Sequence, residues 1–398
     1  MAISEKMRLF GRKSSWIRKM FEEGARMKAE FGADQVCDFS LGNPDLPPPP
    51  QFTEVIRRIT VDERPGAHGY MPNGGYPWVK EALAARMSAE QGVTIAGSDM
   101  LMTCGAAGGL NVVFKALLNP GEEVILLAPY FVEYNFYLDN HGGVGRTVKH
   151  RRRLQPRPGG DRRPRSRPGP RRSSYNSPNN PTGQIYDAAS LAALGELLET
   201  AGRRFGTVIY LIADEPYRKI VFDGSTVPGV MAAYRNSIVV SSYSKDLSLP
   251  GERIGYLAVH PEIDAKAELV DAMTLANRIL GFVNAPALMQ RVVAELQGVS
   301  VDTAIYARRR ESFCSILREA GYRFSAPKGA FYIFPQSPLA DDVAFIALLQ
   351  EQRILAVPGV GFGAAGCFRL AFCVEDEVIR RSAEGFREAM ARAKRLSV

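Results

Sequence analysis

The 398-residue sequence predicts an α/β protein, a large domain built on a mostly parallel sheet between helices joined to a smaller α+β domain. Two observations carry this. Strand and helix patterns alternate through the middle of the chain, and the strands are short, continuously apolar runs, as in sheets covered on both faces. From about Asp264 the pattern changes to long helices, followed by a closing set of strands around one helix.

Taken in order, Met7, Phe10, Ile17 and Phe21 are spaced as one side of an amphipathic N-terminal helix docked on a body. "YPWVKEALAARMSAE" puts Val79, Leu83 and Met87 on one helical face, and "AAGGLNVVFKALL" reads as a second helix closed by Asn119-Pro120-Gly121. "EVILLAP" is a buried strand, "AASLAALGELLETAGRR" a helix, and "TVIYLIADEP" and "SIVVSSYSK" two more buried strands. The closing unit places strands at "AFYIFP", "ILAVPG" and "FRLAFC" around the helix "DDVAFIALLQEQ". No internal repeat is visible.

Composition narrows the class. No apolar run reaches the ~18–20 residues needed to span a bilayer, and the N-terminus lacks the apolar core of a signal peptide. Five cysteines, Cys37, Cys104, Cys314, Cys367 and Cys373, have no metal-binding spacing, and their odd number argues against a disulfide framework. A cytoplasmic protein without a metal is expected. The formal net charge is +8, but Lys149–Arg172 alone carries ten Arg and one Lys against one Asp. The basicity is therefore local, and the rest of the chain is mildly acidic.

Several polar loops fall at the C-terminal ends of the apolar strands, where α/β sheets bind ligands. Asp214 ends one strand and Tyr217 follows; alone, such an acid often only caps a turn. "SSYSKDLSLPGER" supplies Ser242, Ser244, Lys245 and Arg253, although a single lysine is ordinarily a solvated surface group. "NSPNNPTG" by itself is a polar turn. "CGAAGG" lies just before a helix, where backbone N–H groups can cradle a phosphate or small residues can simply pack closely.

As an ordered set these stretches are specific. Asn180-Pro181-Thr182-Gly183, Asp214-x-x-Tyr217 and Ser242-x-Ser244-Lys245 with Arg253 resemble the class I aminotransferases, the aspartate aminotransferase family of fold-type I pyridoxal-phosphate (PLP) enzymes. The resemblance runs from "FSLGNPDLPPP" to "FRLAFC". It implies a seven-stranded, mostly parallel sheet in a PLP-binding domain over 48–285. It further implies a small domain over 286–398 and an N-terminal segment, 1–47, packing with that small domain.

The family's chemistry maps onto this chain residue by residue. The resemblance makes Lys245 the amine that holds PLP through a Schiff base and then moves a proton on the substrate. It makes Asp214 the carboxylate paired with the pyridine nitrogen, Tyr217 and Asn180 the partners of the ring oxygen, and Phe131 the aromatic stacked on the ring. Arg253, Ser242, Ser244 and the backbone of Gly105, Ala106 and Ala107 are implied phosphate ligands; relatives often carry Ser or Thr in that last loop, and this chain does not. Tyr70 matches a tyrosine that reaches the phosphate from a neighbouring subunit, implying a homodimer with shared sites. Arg369 matches the clamp on the substrate α-carboxylate, which a planar bidentate fork suits. Gly42 and Asn43 resemble the strip that closes over the substrate.

The expected reaction is exchange of an amino group between an L-amino acid and a 2-oxo acid in two ping-pong halves. A PLP-dependent carbon–sulfur lyase or carboxycyclopropane-type synthase is the alternative, distinguished by its independence of a 2-oxo acid. Aspartate is the favoured donor, with Arg278 a candidate second cation for its side chain; an exposed helical Arg is the competing reading. A DNA-binding regulator built on the same fold carries an N-terminal helix-turn-helix domain, for which the roughly 40 residues before "LGNPD" leave too little chain.

The stretch 149–172 admits two readings. It is either a basic, Pro- and Gly-rich arm for nucleic acid, or a segment read out of frame. Relatives hold a strand, a short helix and a strand in an interval of about this length, so the stretch replaces rather than lengthens. Written in GC-rich codons and read one base later, His150–Asp161 gives T-A-A-D-F-S-P-D-L-A-A, and Ser173-Ser174-Tyr175 gives x-Leu-Ile. No nucleic-acid or membrane partner is expected. If the residues are the true polypeptide, the sheet is expected to lack a strand beside the cofactor loop.

Overall fold

The computed structural model describes residues 3–12, 16–62, 65–149 and 172–396. The strands in chain order are β1 (Cys37–Asp38), β2 (Met100–Thr103), β3 (Glu123–Ala128), β4 (Val144–Lys149), β5 (Arg172–Asn176) and β6 (Tyr210–Asp214). They continue as β7 (Ser237–Ser242), β8 (Gly255–Val259), β9 (Tyr332–Ile333), β10 (Ile354–Leu355), β11 (Val357–Pro358) and β12 (Phe368–Ala371). Among the described residues the main sheet has seven strands in the order β2-β8-β7-β6-β5-β3-β4. Its neighbours pair in parallel except on both sides of β8.

The apolar runs explain the layering. Along β6 and β7, Leu211, Ala213 and Val239 face one core with Val79, Leu83, Leu191, Leu198 and Met289. Their neighbours Ile212, Ile238 and Val240 face the other, with Leu110, Val113, Phe114, Leu269 and Met273. Two-residue strand periodicity thus feeds helices on both faces. Helix Pro77–Gln91 begins with proline at its first position and stops at Gly92, which takes the left-handed conformation at φ 72°. A third core joins β9, β11 and β12 to helices Thr303–Glu319, Asp342–Glu351 and Ala383–Leu396, through Phe313, Phe331, Phe345, Phe368 and Phe386. Tyr217, Ile220 and Phe222, just past the end of β6, are part of this core, so the two bodies meet where that strand ends.

Three expectations need correction. The N-terminal segment forms two helices, Glu5–Arg12 and Trp16–Phe31, and not every residue of the predicted stripe docks. Met7 and Phe21 are exposed. Trp16, Ile17, Met20 and Met27 make the contacts with the body, and Phe10 meets Phe136 edge-on at 5.0 Å. Secondly, "CGAAGG" does not precede its helix: Gly105 is already the first residue of helix Gly105–Leu117. Thirdly, the sheet does not lack a strand beside the cofactor loop. β5 lies between β3 and β6 and leads directly into Asn180. Residues 150–171, on which the reading-frame question turns, lie outside the described residues.

Candidate active site

Strands β2, β3, β5, β6 and β7 all bring their C-terminal ends to one edge of the sheet, and the predicted loops gather there. They surround a cavity of about 300 Å³. Its lining includes Gly42, Ala106, Ala107, Phe131, Asn180, Asp214, Tyr217, Ser242, Ser244, Lys245, Arg253 and Arg369.

Lys245 follows β7, and its Nζ donates to the Gly42 carbonyl at 2.8 Å. Burial lowers its pKa to about 8, helped by the charges of Arg369 and Arg253. The neutral amine, the form that attacks a carbonyl, is therefore accessible near neutrality. Asp214, at the end of β6, is buried; Tyr134 Oη donates to its Oδ2 at 2.5 Å, while Oδ1 is buried with no partner among the described residues. Burial raises its pKa to about 7, against the opposing pull of the Tyr134 hydrogen bond. A buried acceptor with an open valence and an unfavourable charge calls for a cationic partner.

Arg369 lies on β12, almost wholly buried. Its Nη1 donates to Asn180 Oδ1 at 3.0 Å and its Nη2 to the Ser40 carbonyl at 2.5 Å. Its Nε is buried without a partner among the described residues, so the guanidinium retains donor capacity for a carboxylate. Arg253 also lines the cavity: it adopts a left-handed backbone at φ 51°, and its Nη2 comes within 2.8 Å of where a Cβ on Gly105 would stand. Only glycine at 105 lets this guanidinium lie against the first turn of helix Gly105–Leu117, where free N–H groups and a positive helix end already favour an anion. Ser242 and Ser244 are buried and line the same cavity.

Not every expected residue converges. Asn43 and Arg278 are exposed and do not line the cavity, and Tyr70 is 91% exposed, apart from it. The loop carrying Tyr70 is tied to the segment around Arg278. Asn277 Nδ2 donates to the Asn73 carbonyl at 2.9 Å, and Asn284 Nδ2 to the Met71 and Pro72 carbonyls at 3.2 and 3.1 Å. Conversely, the cavity gains residues the sequence did not assign to a site: Ile17, Leu41, Leu110, Glu133, Tyr137 and Tyr332. Tyr134 was within reach of sequence reasoning, since it stands three residues after Phe131 in the same aromatic stretch.

No cluster of His, Cys, Asp or Glu able to hold a metal occurs among the described residues, and no helix there is long and apolar enough to cross a membrane.

Comparison with known proteins gives one consistent answer. Residues 34–386 match the family described as aminotransferase class I and II. An aspartate/prephenate aminotransferase of Thermus thermophilus is 31% identical over 368 residues, covering 91% of this chain and 92% of that protein. An aspartate aminotransferase of Pyrococcus horikoshii is 27% identical, over 89% of this chain and 88% of that one. Among solved structures, an aminotransferase from Eubacterium rectale superposes with a TM-score of 0.90 at 36% identity, covering 98% of this chain and 99% of its own. The Thermus thermophilus aspartate aminotransferase with maleate gives 0.83 at 25%, covering 98% of this chain and all of its own.

Proposed function

This chain belongs to the class I and II aminotransferases and is a transaminase, and we propose that it uses PLP to move the amino group of L-aspartate to a 2-oxo acid. The observation that carries the PLP reading is the meeting, in one cavity, of a lysine of lowered basicity, a buried carboxylate with one unpartnered oxygen, and two arginines.

The residues fit the cofactor. Asp214, through its unpartnered Oδ1, would hold the cofactor's ring nitrogen; Tyr217 and Asn180 would serve its ring oxygen, and Phe131 its ring face. Arg253, Ser242, Ser244 and the N–H groups of Gly105, Ala106 and Ala107 hold the phosphate. Bound there, PLP supplies an electron sink for the bond broken at the substrate α-carbon. The rest is work for this chain. Arg369 fixes the α-carboxylate through its fork. Lys245 Nζ, with its depressed basicity, accepts and returns a proton at the α-carbon near neutral pH. Gly42, tied to Lys245, helps close the cavity against water.

The aspartate reading rests on the names of the relatives and needs a cation for the side-chain carboxylate. Among the described lining residues the cations are Lys245, Arg253 and Arg369, and each already serves the cofactor or the α-carboxylate. Arg278 therefore has to come from a second copy, in a homodimer that also lends Tyr70. Exposed Trp78, Leu275 and Ile279 near these residues in the chain support such a contact. The apolar wall of Ile17, Leu41, Leu110 and Phe131 favours a second reading, a donor with an uncharged aliphatic or aromatic side chain. A cytoplasmic location accords with five free cysteines.

The test is the visible absorbance of the PLP-loaded protein titrated with aspartate, glutamate, alanine and phenylalanine in turn. Conversion by aspartate, reversed by a 2-oxo acid, is expected, with an Arg278→Ala variant losing that response but not the response to alanine. Preferential conversion by phenylalanine overturns aspartate in favour of the second reading. Absence of any PLP absorbance removes the cofactor assignment itself.

A further inference from the structure

Tyr332 lines the cavity without a role in the proposed reaction, and it meets Tyr217, Arg369 and Gly42 at once. It lies on β9, fully buried, opposite Ala371 in the register with β12. Its Oη is 2.8 Å from Tyr217 Oη. Its ring packs against Arg369, whose guanidinium carbon lies 4.7 Å from the ring centroid. A Cβ built on Gly42 would fall 1.9 Å from the Tyr332 hydroxyl, so the phenol lies directly against the glycine whose carbonyl receives Lys245.

We propose that Tyr332 is a positioning residue with two separable functions: its hydroxyl donates to Tyr217, turning the Tyr217 proton toward the cofactor, and its ring orients Arg369 for the substrate carboxylate. The inference rests on the PLP reading of the site, and its second half needs only a carboxylate ligand.

The donor direction follows from the surroundings. Neither phenol has another hydroxyl partner among the hydrogen bonds of the described residues, so each proton goes to the other phenol or into the cavity. Tyr217 follows β6, among the residues that serve the cofactor, whereas Tyr332 is backed by Gly42 and the Arg369 charge. Burial pushes both phenols up, Tyr332 to about 12 with the Arg369 charge restraining it, and Tyr217 well above its usual value. A Tyr217 oxygen that accepts one hydrogen bond becomes a stronger donor in the next, because hydrogen bonds in series polarise one another. The ring contact works differently. Arg369 is held at Nη1 and Nη2 by Asn180 and Ser40, and an aromatic face on the guanidinium plane limits its remaining tilt.

Two variants separate the functions. Tyr332→Phe keeps the ring and removes the hydroxyl; Tyr332→Leu removes both. Three quantities are read: the pH midpoint of the bound cofactor's visible absorbance, the Kd of unreactive 3-phenylpropionate by calorimetry, and kcat and KM for the amino donor. The calorimetry is done with and without PLP, and circular dichroism establishes that each variant is folded. In Tyr332→Phe the midpoint should rise by up to about one pH unit, because the weakened Tyr217 donor stabilises the cofactor's anionic oxygen less. Its Kd for the carboxylate should stay within about twofold of the parent. Tyr332→Leu should show the same rise and a further weakening of carboxylate binding of about tenfold, appearing in KM more than in kcat.

An unchanged midpoint in Tyr332→Phe overturns the hydroxyl's role. Equal carboxylate Kd values in Tyr332→Leu and the parent, or an equal loss in both variants, overturn the ring's role. A parent protein that takes up no PLP brings down the proposed cofactor, while the calorimetry on cofactor-free protein still decides whether the ring orients Arg369.

Discussion

Asp214 shows how a single residue can be costly to the fold and suited to the proposed site. An ordinary Asp titrates near 3.9, and this one is raised to about 7 by burial. Between those values the folded protein holds a proton that the unfolded chain has released. The stability linked to Asp214 is therefore fully present below about 4 and lost as pH rises through 7. Asp214→Asn, neutral throughout and still able to accept from Tyr134, should stabilise the cofactor-free protein at pH 8 by roughly a few kcal/mol, the gain shrinking toward pH 5. The same variant should lose PLP-dependent activity. Thermal melts at the two pH values check this; a variant less stable at pH 8 means the charge is already compensated. Asp214, Lys245 and Arg253 were legible in the sequence because each sits at or beyond the end of an apolar strand, and Asn180 because it stands in a polar, proline-punctuated turn. Tyr332 and Ile17 were not, because they lie in an apolar strand and an amphipathic helix, where aromatic and aliphatic residues look like core. Their place in the site depends on contacts across more than 100 residues, such as the Tyr217–Tyr332 pair, which no local pattern announces.

At the scale of elements, the apolar strands and the helices around them were legible because hydrophobic period and capping residues agree. β5 was not, for the opposite reason: it occupies a buried interior position with the sequence Arg172-Ser173-Ser174-Tyr175-Asn176. Neighbouring parallel strands fill such positions with Ile, Leu and Val. Here Arg172 is accommodated by an ion pair with Glu122 at 2.7 Å, and Ser174 Oγ is buried with no hydrogen-bond partner among the described residues. Pairing with β3 and β6 keeps the strand in place despite its side chains. A buried hydroxyl without a partner costs about 1–3 kcal/mol, more than a methyl group in the same place. Ser174→Ala should therefore raise the melting temperature by about 2 °C, with no change in PLP affinity, since the substitution leaves Asn176 and Asn180 untouched. A lower melting temperature means that the hydroxyl is satisfied in solution. The N-terminal helices show a related limit. Their amphipathic spacing was visible, but a stripe does not say which of its members meet the body.

The whole molecule raises the question of why Tyr70 and Arg278, assigned to one site, stand outside its cavity. Tyr70 and Arg278 are exposed, on segments tied together by Asn277 and Asn284, while every other charged group proposed for the cofactor or substrate lines the cavity. The proposed two-fold dimer would account for this, since an isologous contact lets each copy offer the same loop to the other's site. Tyr70→Phe should then weaken PLP binding by roughly ten- to a hundredfold through the loss of a hydrogen bond to a charged group. Lys245→Ala should abolish covalent retention of PLP. Each shared site would take Lys245 from one chain and Tyr70 from the other, so mixing the purified variants under conditions that exchange subunits should create dimers with one intact and one doubly altered site. Random pairing restores about a quarter of all sites to the parent's PLP affinity and activity. Recovery of that order requires that Tyr70 act across the interface. No recovery, with subunit exchange verified by mass, requires that each site be built from one chain, and it would remove the dimer-borne Arg278 on which the aspartate reading depends.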